Sequence, residues 1–357
     1  APFACGNTIG PNTLSSNGTN TRTVVMNSYG LVTNTTSGEY FCNIQAGIDD
    51  AQTLAGHTLQ ISNATYAEDV NVTKANLTLD GQSRSGTIIK GLYAAGGGAT
   101  LKFANTSADG STVKDLTITR DYQDWYGSTK NYGVLLSGGV NDISLENVLV
   151  TGNRNGVYVE NNGELNMTNS LIEKNRTGLH ITNTVRGNLM NNIIRNNQTH
   201  GIFYNLDDGV SDLTGFSMSD NTVYGNWYSQ ATFRGANTLG TPADLECNSW
   251  GTDAPTVNTS NPGELGYGAL IPQQLGGTSS QATYAGEFRA NGAIYIDYTS
   301  WRTGESGNMS DPFVPTGICN GTPVVITSAV PTPNEFCQPN GTITVTFSGG
   351  TAPYDIA

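Results

Sequence analysis

The stretch 147–156, NVLVTGNRNG, returns as NSLIEKNRTG at 169–178, as NIIRNNQTHG at 192–201 and, more loosely, as NTVYGNWYSQ at 221–230. Aligned on Asn147, Asn169, Asn192 and Asn221, the copies share apolar columns. Two residues on stand Leu149, Leu171, Ile194 and Val223; ten on, Val157, Leu179, Ile202 and Ala231; twelve on, Val159, Ile181, Tyr204 and Phe233. The last two columns alternate with a mixed one, which is the period of a strand. Nine residues on stand Gly156, Gly178 and Gly201, read as a sharp bend. A strand, a turn and a strand within about 22 residues cannot bury an apolar face alone, but stacked copies can. Helical repeats need about 33 residues or more, and leucine-rich repeats a denser Leu pattern. The spacing therefore predicts an all-β solenoid, a parallel β-helix with rungs about 4.8 Å apart. The leading Asn of each copy is expected to hydrogen-bond to the next along the axis.

The coil extends both ways. Residues 57–81 and 111–120 carry strands at compatible intervals. An open coil end exposes core and strand edges and needs a cover. The run 44–56, IQAGIDDAQTLAG, predicts a cap helix with Ile44, Ile48, Ala51 and Leu54 on one face and Gly56 as its stop.

Composition agrees. Forty-four glycines, 13% charged residues and 36% hydrophobic residues describe a turn- and strand-rich folded chain. The net charge of −13 disfavours nucleic acid and anionic membrane as partners. No run approaches the roughly 20 apolar residues of a membrane span. The opening APFACGN reads as a mature end left by a removed leader. Five cysteines suit the same secreted setting: Cys5 is expected to pair with Cys42 and Cys319 with Cys337, leaving Cys247 single. Sequons such as Asn63, Asn76 and Asn175 would suit N-glycosylation of an extracellular protein, but any Asn- and Thr-rich chain produces them.

The segment IQAGIDDAQ…GHTLQISNATYAEDVNVTKANLTLDG resembles the entry to secreted right-handed β-helix proteins of the pectin-lyase-like superfamily. His57 stands where Asp is common there and is read as a corner residue. CNSWGT (247–252) and IDYTSWR (296–302) resemble the closing pair of such proteins, which implies that Trp250 and Trp301 pack the last coils. Farther on, PNGTITVTFSGGTAPYDI resembles about half of an SprB-type repeat of giant surface adhesins, found in gliding bacteria that use type IX secretion. That resemblance implies a longer parent protein with further modules. The expected organisation is an N-terminal segment (1–43) tied by a disulfide, a capped β-helix (44–310), a linker (311–325) marked by DPFVPTG, and a partial Ig-like sandwich (326–357).

Chemistry is expected on the strand after the Gly corner. Its outward columns read Leu135, Tyr158, His180, Phe203, Thr232 and, beside them, Ser137, Glu160, Thr182, Asn205, Arg234. Inserts at 120–131, carrying Trp125 and Tyr126 beside Asp121 and Asp124, and at 205–216 wall this face. Aromatic rings, a His, an Arg and acids suit a glycan. The ligand-binding set is Trp125, Tyr126, Tyr158, Glu160, His180, Phe203, Asn205 and Arg234, and the leading reading is a glycan-binding adhesin at a bacterial cell surface. A polysaccharide lyase acting on an acidic polymer is the alternative, with Tyr158 or His180 as base and Arg234 neutralising the carboxylate. Lys174 and Arg195, about a rung apart, are read as solvated corner residues. A glycoside hydrolase has only Glu160 on the ladder, with Asp207 and Asp208 near the limit of a workable pair. A stalk without a ligand is the third class. No cofactor is expected; Asp207, Asp208 and Asp212 are a weaker calcium candidate.

Overall fold

The computed structural model describes residues 31–92, 97–120, 131–206, 212–227, 229–235, 243–251, 257–258, 288–291, 296–297, 301–305, 308–320, 325–332 and 342–348. The repeated decamer spans one corner of a right-handed parallel β-helix. A coil runs Ile143–Glu146, Leu149–Thr151 and Asn155–Glu160. The next runs Leu165–Thr168, Leu171–Glu173 and Thr177–Thr182, each strand parallel to and in register with the one before it. Among the described residues three sheets of eleven, seven and nine strands result, the first including the antiparallel strands 32–34 and 39–41 at its end. They are here called first, second and third in the order the coils meet them. Inward residues such as Leu145, Val150, Val157 and Val159 form one continuous, fully buried core.

Two asparagine ladders fix the corners, and the expected column mixes two registers. Asn192 and Asn221 ladder as expected, but Asn147 and Asn169 belong one residue earlier. Likewise Leu149 and Leu171 stack with Ile193, not with Ile194 and Val223. Between the first and second sheets, Asp115, Asn147, Asn169, Asn191, Asp220 and Cys247 adopt φ between 49° and 58°. Asn and Asp tolerate this left-handed turn best among residues with a Cβ. The following residue points inward. Asn192 Oδ1 accepts from Ser170 N at 2.9 Å, Asn221 Oδ1 from Asn192 N at 2.8 Å, and Asn248 Oδ1 from Asn221 N at 3.1 Å. Asn147 and Asn169 therefore turn the corner, while Asn192 and Asn221 build the ladder. A second ladder, Asn153, Asn175, Asn197 and Asn226, stands between the second and third sheets, with contacts of 3.0–3.1 Å from each backbone N to the next side-chain oxygen.

Gly156, Gly178 and Gly201 do not bend the chain. They are glycine because the next coil comes too close: a Cβ on Gly156 would lie 2.6 Å from the Gly178 carbonyl and 2.9 Å from Asn175 Nδ2. The sharp turn belongs to the asparagines.

The cap helix is shorter than expected, Ile44–Asp49. Asn43 caps it, and the Glu68 carboxylate accepts from Ile44 N at 2.8 Å and Gln45 N at 2.9 Å. Ile44, Gly47 and Ile48 cover the core, whereas Ala51 and Leu54 are exposed beyond the helix. At Asp50, the C-cap, the backbone is no longer helical (φ −59°, ψ 137°). His57 is a corner residue, with Nδ1 3.1 Å from Asn34 Nδ2.

At the far end Trp250 is fully buried and Trp301 packs against the same core. Cys319 bonds to Cys247, not to Cys337, so Cys247 is not single. Cys42 is disulfide-bonded, with its partner outside the described residues. The bond at Cys319 follows from a strand, Ile318–Asn320, that pairs antiparallel with Trp301–Thr303 and brings the chain back over the coil end. The stretch read as a linker lies on the coil: Phe313 is buried against Leu171 and Ile193 on the outer face of the second sheet, with Leu149 and Met309 beside them. Farther on, Val325–Thr332 and Thr342–Ser348 form an antiparallel pair. No helix among the described residues is long and apolar enough to cross a membrane.

Candidate functional site

The third sheet places the expected outward columns as the sequence predicts. Asn71, Lys102, Leu135, Tyr158, His180, Phe203 and Thr232 stand in register on successive coils. Glu160, Thr182, Asn205 and Arg234 form the neighbouring column. The rings make an unbroken ladder. Tyr132 and Tyr158 centroids are 4.7 Å apart, Tyr158 and His180 4.7 Å edge-on, and His180 and Phe203 4.9 Å edge-on.

Two members were not foreseen. Tyr132 has the parity of inward Val134 and Leu136, so strict alternation puts it inside; it joins Ala99, Leu135 and Tyr158 in a separate outer cluster. His200 is an extra residue in its coil. Thr177 and Thr199 hydroxyls meet at 3.1 Å, 22 residues apart, yet Leu179 pairs with Ile202. The bulge buries His200, with Nδ1 2.9 Å from Thr232 Oγ1 and 3.2 Å from Ser229 Oγ, and lays its ring flat on Phe203 at 4.9 Å. The one-residue lengthening of the period was the available signal.

The ladder is less open than a free row of rings. Tyr132 and Tyr158 are buried, at 8% and 7% exposure, while His180, Phe203, Glu160, Thr182 and Asn205 are half-buried. Burial raises the Tyr158 hydroxyl above the usual phenol value; the hydrogen bond from Thr182 Oγ1 (3.1 Å) opposes this and the Glu160 charge adds to it. Tyr132 is raised in the same way, by burial first and then by Tyr158 and Glu160. A phenol held protonated is a poor general base.

Other expected residues fall elsewhere. Arg195 stacks on Glu173 in register, with Nε 2.8 Å from Glu173 Oε2, and its Nη1 donates to the Met309 carbonyl; Lys174 lies at the exposed corner, 3.6 Å from Glu173. Asp212 Oδ1 accepts from Thr214 N at 2.9 Å in a local turn. Trp125, Tyr126, Asp207 and Asp208 lie outside the described residues, as does the Arg234 side chain. Among the described residues no group of three or more His, Cys, Asp or Glu could hold a metal ion.

Residues 107–241 match the family described as right-handed β-helix region. Among solved structures, the A-module of a mannuronan C-5 epimerase from Azotobacter vinelandii is similar at 22% identity and TM-score 0.44, over 57% of this chain and 60% of that one. A pectin methylesterase from Yersinia enterocolitica is similar at 13% identity and TM-score 0.40, over 76% and 98%. The carrot pectin methylesterase gives 11% and 0.32, over 70% and 83%. No curated protein matches the chain.

Proposed function

We propose that this chain is a glycan-binding β-helix of an extracellular adhesin, with its contact surface on the third sheet. The observation that carries the reading is the aromatic ladder Tyr132, Tyr158, His180 and Phe203, flanked by the polar column Glu160, Thr182 and Asn205. In this reading the buried tyrosines are the rigid base. Phe203 and His180 present the ring edges and faces that a sugar meets, and the polar column takes its hydroxyls. The Cys247–Cys319 disulfide supports an oxidising compartment. In this reading the antiparallel pair 325–332 and 342–348 begins an SprB-type module of a cell-surface protein of gliding bacteria with type IX secretion.

Titration calorimetry of the whole chain against a panel of neutral and acidic polysaccharides tests the reading. Phe203→Ala is expected to weaken binding about tenfold, the upper range for one aromatic contact. Wild-type affinity in Phe203→Ala and His180→Ala together would remove the ladder from the function. The lyase reading remains the alternative, with His180 as the better-placed base because burial pushes the Tyr158 hydroxyl up; ultraviolet absorbance of an unsaturated uronate, appearing on incubation with acidic polymers, would favour it.

A further inference from the structure

Charge is divided over the outer face of the third sheet. Lys102 is exposed and continues the ladder column downward, one rung below Leu135 and two below Tyr158. On the coil of Tyr158, Arg154 is half-buried just before the strand and Glu160 is half-buried at its end. Among the described residues none of the three makes an ion pair. The Lys102 and Arg154 side chains also make no hydrogen bond there, and Arg154 Nε is buried without an acceptor. Every other lysine or arginine whose side chain is described has a partner. The two cations left over both flank the foot of the aromatic ladder, bracketing the segment Tyr132–Leu135.

These charges do not cancel one another. With rungs about 4.8 Å apart and strand residues about 3.3 Å apart, the backbones of Lys102 and Glu160 are separated by roughly 12 Å. Arg154 and Glu160, at opposite ends of one strand, are separated by roughly 20 Å. Both spans exceed the ~8 Å over which exposed charges act at physiological salt. The ladder itself is within reach of both signs: burial raises the Tyr132 hydroxyl, Tyr158 and Glu160 add to that, and the Arg154 charge opposes it. A half-buried guanidinium that has given up hydration without gaining an acceptor is short of an anion.

We propose that the third sheet reads charge by position: the foot bracketed by Lys102 and Arg154 takes a carboxylate or sulfate group, and the Tyr158 and His180 rungs beside Glu160 take neutral sugar units. The ligand class is a heteroglycan whose acidic units are set apart by neutral ones, not a polymer charged on every unit. The inference rests on the glycan-binding reading for its polymer. Arg154 forks onto the oxyanion and Lys102 adds a point charge. An anionic unit one or two rungs higher would meet the like charge of Glu160, which selects against it. The net charge of −13 adds to the rejection of a uniformly charged chain.

The test uses oligosaccharides of equal length on one neutral backbone: uncharged, carboxylated on one terminal unit, sulfated on that unit, and carboxylated on every unit. Calorimetry on the whole chain is expected to rank a singly charged ligand tightest and the uniformly charged one weakest. The tighter of the two singly charged ligands names the oxyanion. Lys102 is exposed and unpaired, so Lys102→Gln should melt as wild type, weaken the singly charged ligand up to about fivefold and leave the uncharged one unchanged. Adding Arg154→Gln should deepen the loss to about tenfold or more. Glu160→Gln should relieve the penalty on the uniformly charged ligand. Equal affinity for uncharged and singly charged ligands, tightest binding of the uniform one, wild-type affinity in Lys102→Gln, or an unrelieved penalty in Glu160→Gln would each overturn the proposal. Failure of the ladder reads differently: Phe203→Ala is then without effect on any ligand, while Lys102→Gln still separates the singly charged from the uncharged.

Discussion

Arg84 and Asp311 meet at 2.5 Å across 227 residues of sequence. This contact lies at one end of a strap that runs back along the outer face of the second sheet. Phe313 sits over Leu171 and Ile193, Arg195 Nη1 reaches the Met309 carbonyl at 2.9 Å, Arg302 Nε pairs with Asp220 at 2.8 Å, and Cys319 is bonded to Cys247. In a solenoid each repeat touches only its neighbours, so coils can peel singly from an end. The strap ties coils that are not neighbours. Phe313→Ala is expected to cost about 3 kcal/mol, near the low end for a buried Phe, in denaturant unfolding. Hydrogen exchange should then rise first in the last coils; uniform protection in the variant would deny the strap that role.

The strap also carries a pH dependence. Glu305 is buried at 2% exposure, and burial alone would raise its carboxyl. Bonds from Asn308 Nδ2 (2.6 Å), Gly317 N (2.6 Å), Thr316 N (2.7 Å) and Thr316 Oγ1 (3.1 Å) together outweigh it and hold the group below the glutamate value of 4.5. A folded value below the unfolded one means that the contribution is complete above about pH 4.5 and is lost as pH falls through the folded value. Glu305→Gln should therefore lower stability at neutral pH, and the gap to wild type should close on acidification below that point. A gap that stays constant with pH would assign the effect to packing.

The corners make a contrast within one sequence motif. Asn192 is buried; its Nδ2 reaches the Met167 carbonyl at 2.8 Å and Asn221 Oδ1 at 2.9 Å. Asn192→Leu leaves those buried acceptors, and Ser170 N, short of a partner, at about 1–3 kcal/mol for each group stranded. Asn147 takes the left-handed turn at φ 49°, and its half-buried Nδ2 donates to Asp115 Oδ1 at 2.6 Å. Asn147→Gly should therefore cost no more than this one half-exposed bond, about 1 kcal/mol, and Asn147→Val clearly more. Thermal melts of the three variants check the assignment; equal losses at 147 and 192 would erase the distinction between turn and ladder.

Much of this architecture was legible because a 22-residue period with strand alternation has one stable solution, and the outward column through Tyr158, His180 and Phe203 followed from the alignment. The expected ladder merged two columns: Asn192 was aligned with Asn169, whose register partner is Asn191, and these consecutive asparagines do different work that composition alone does not separate. Gly156 was misread because close approach and positive φ both select glycine, and only the next coil's carbonyl decides between them. The Cys247–Cys319 bond was hidden by distance: the two cysteines are 72 residues apart in sequence and meet because strand 318–320 pairs with 301–303 over the coil end. Tyr132 escaped because strict alternation fails at the start of its strand.

His200 supplies the sharpest test of how the period shapes the surface. It is one residue too many for a 22-residue coil; Thr199 below and Ile202 above remain in register on either side of it. Deleting it should preserve the parallel stack, since Gly201 can then follow Thr199 as Gly178 follows Thr177. What the deletion removes is the ring stacked on Phe203 at 4.9 Å and the Nδ1 contacts to Thr232 and Ser229. Far-ultraviolet circular dichroism is therefore expected to be unchanged, while glycan affinity falls severalfold, because Phe203 loses the neighbour that fixes its orientation. Loss of the β signal would make the bulge part of the folding code, and full affinity with an intact fold would make it a neutral insertion.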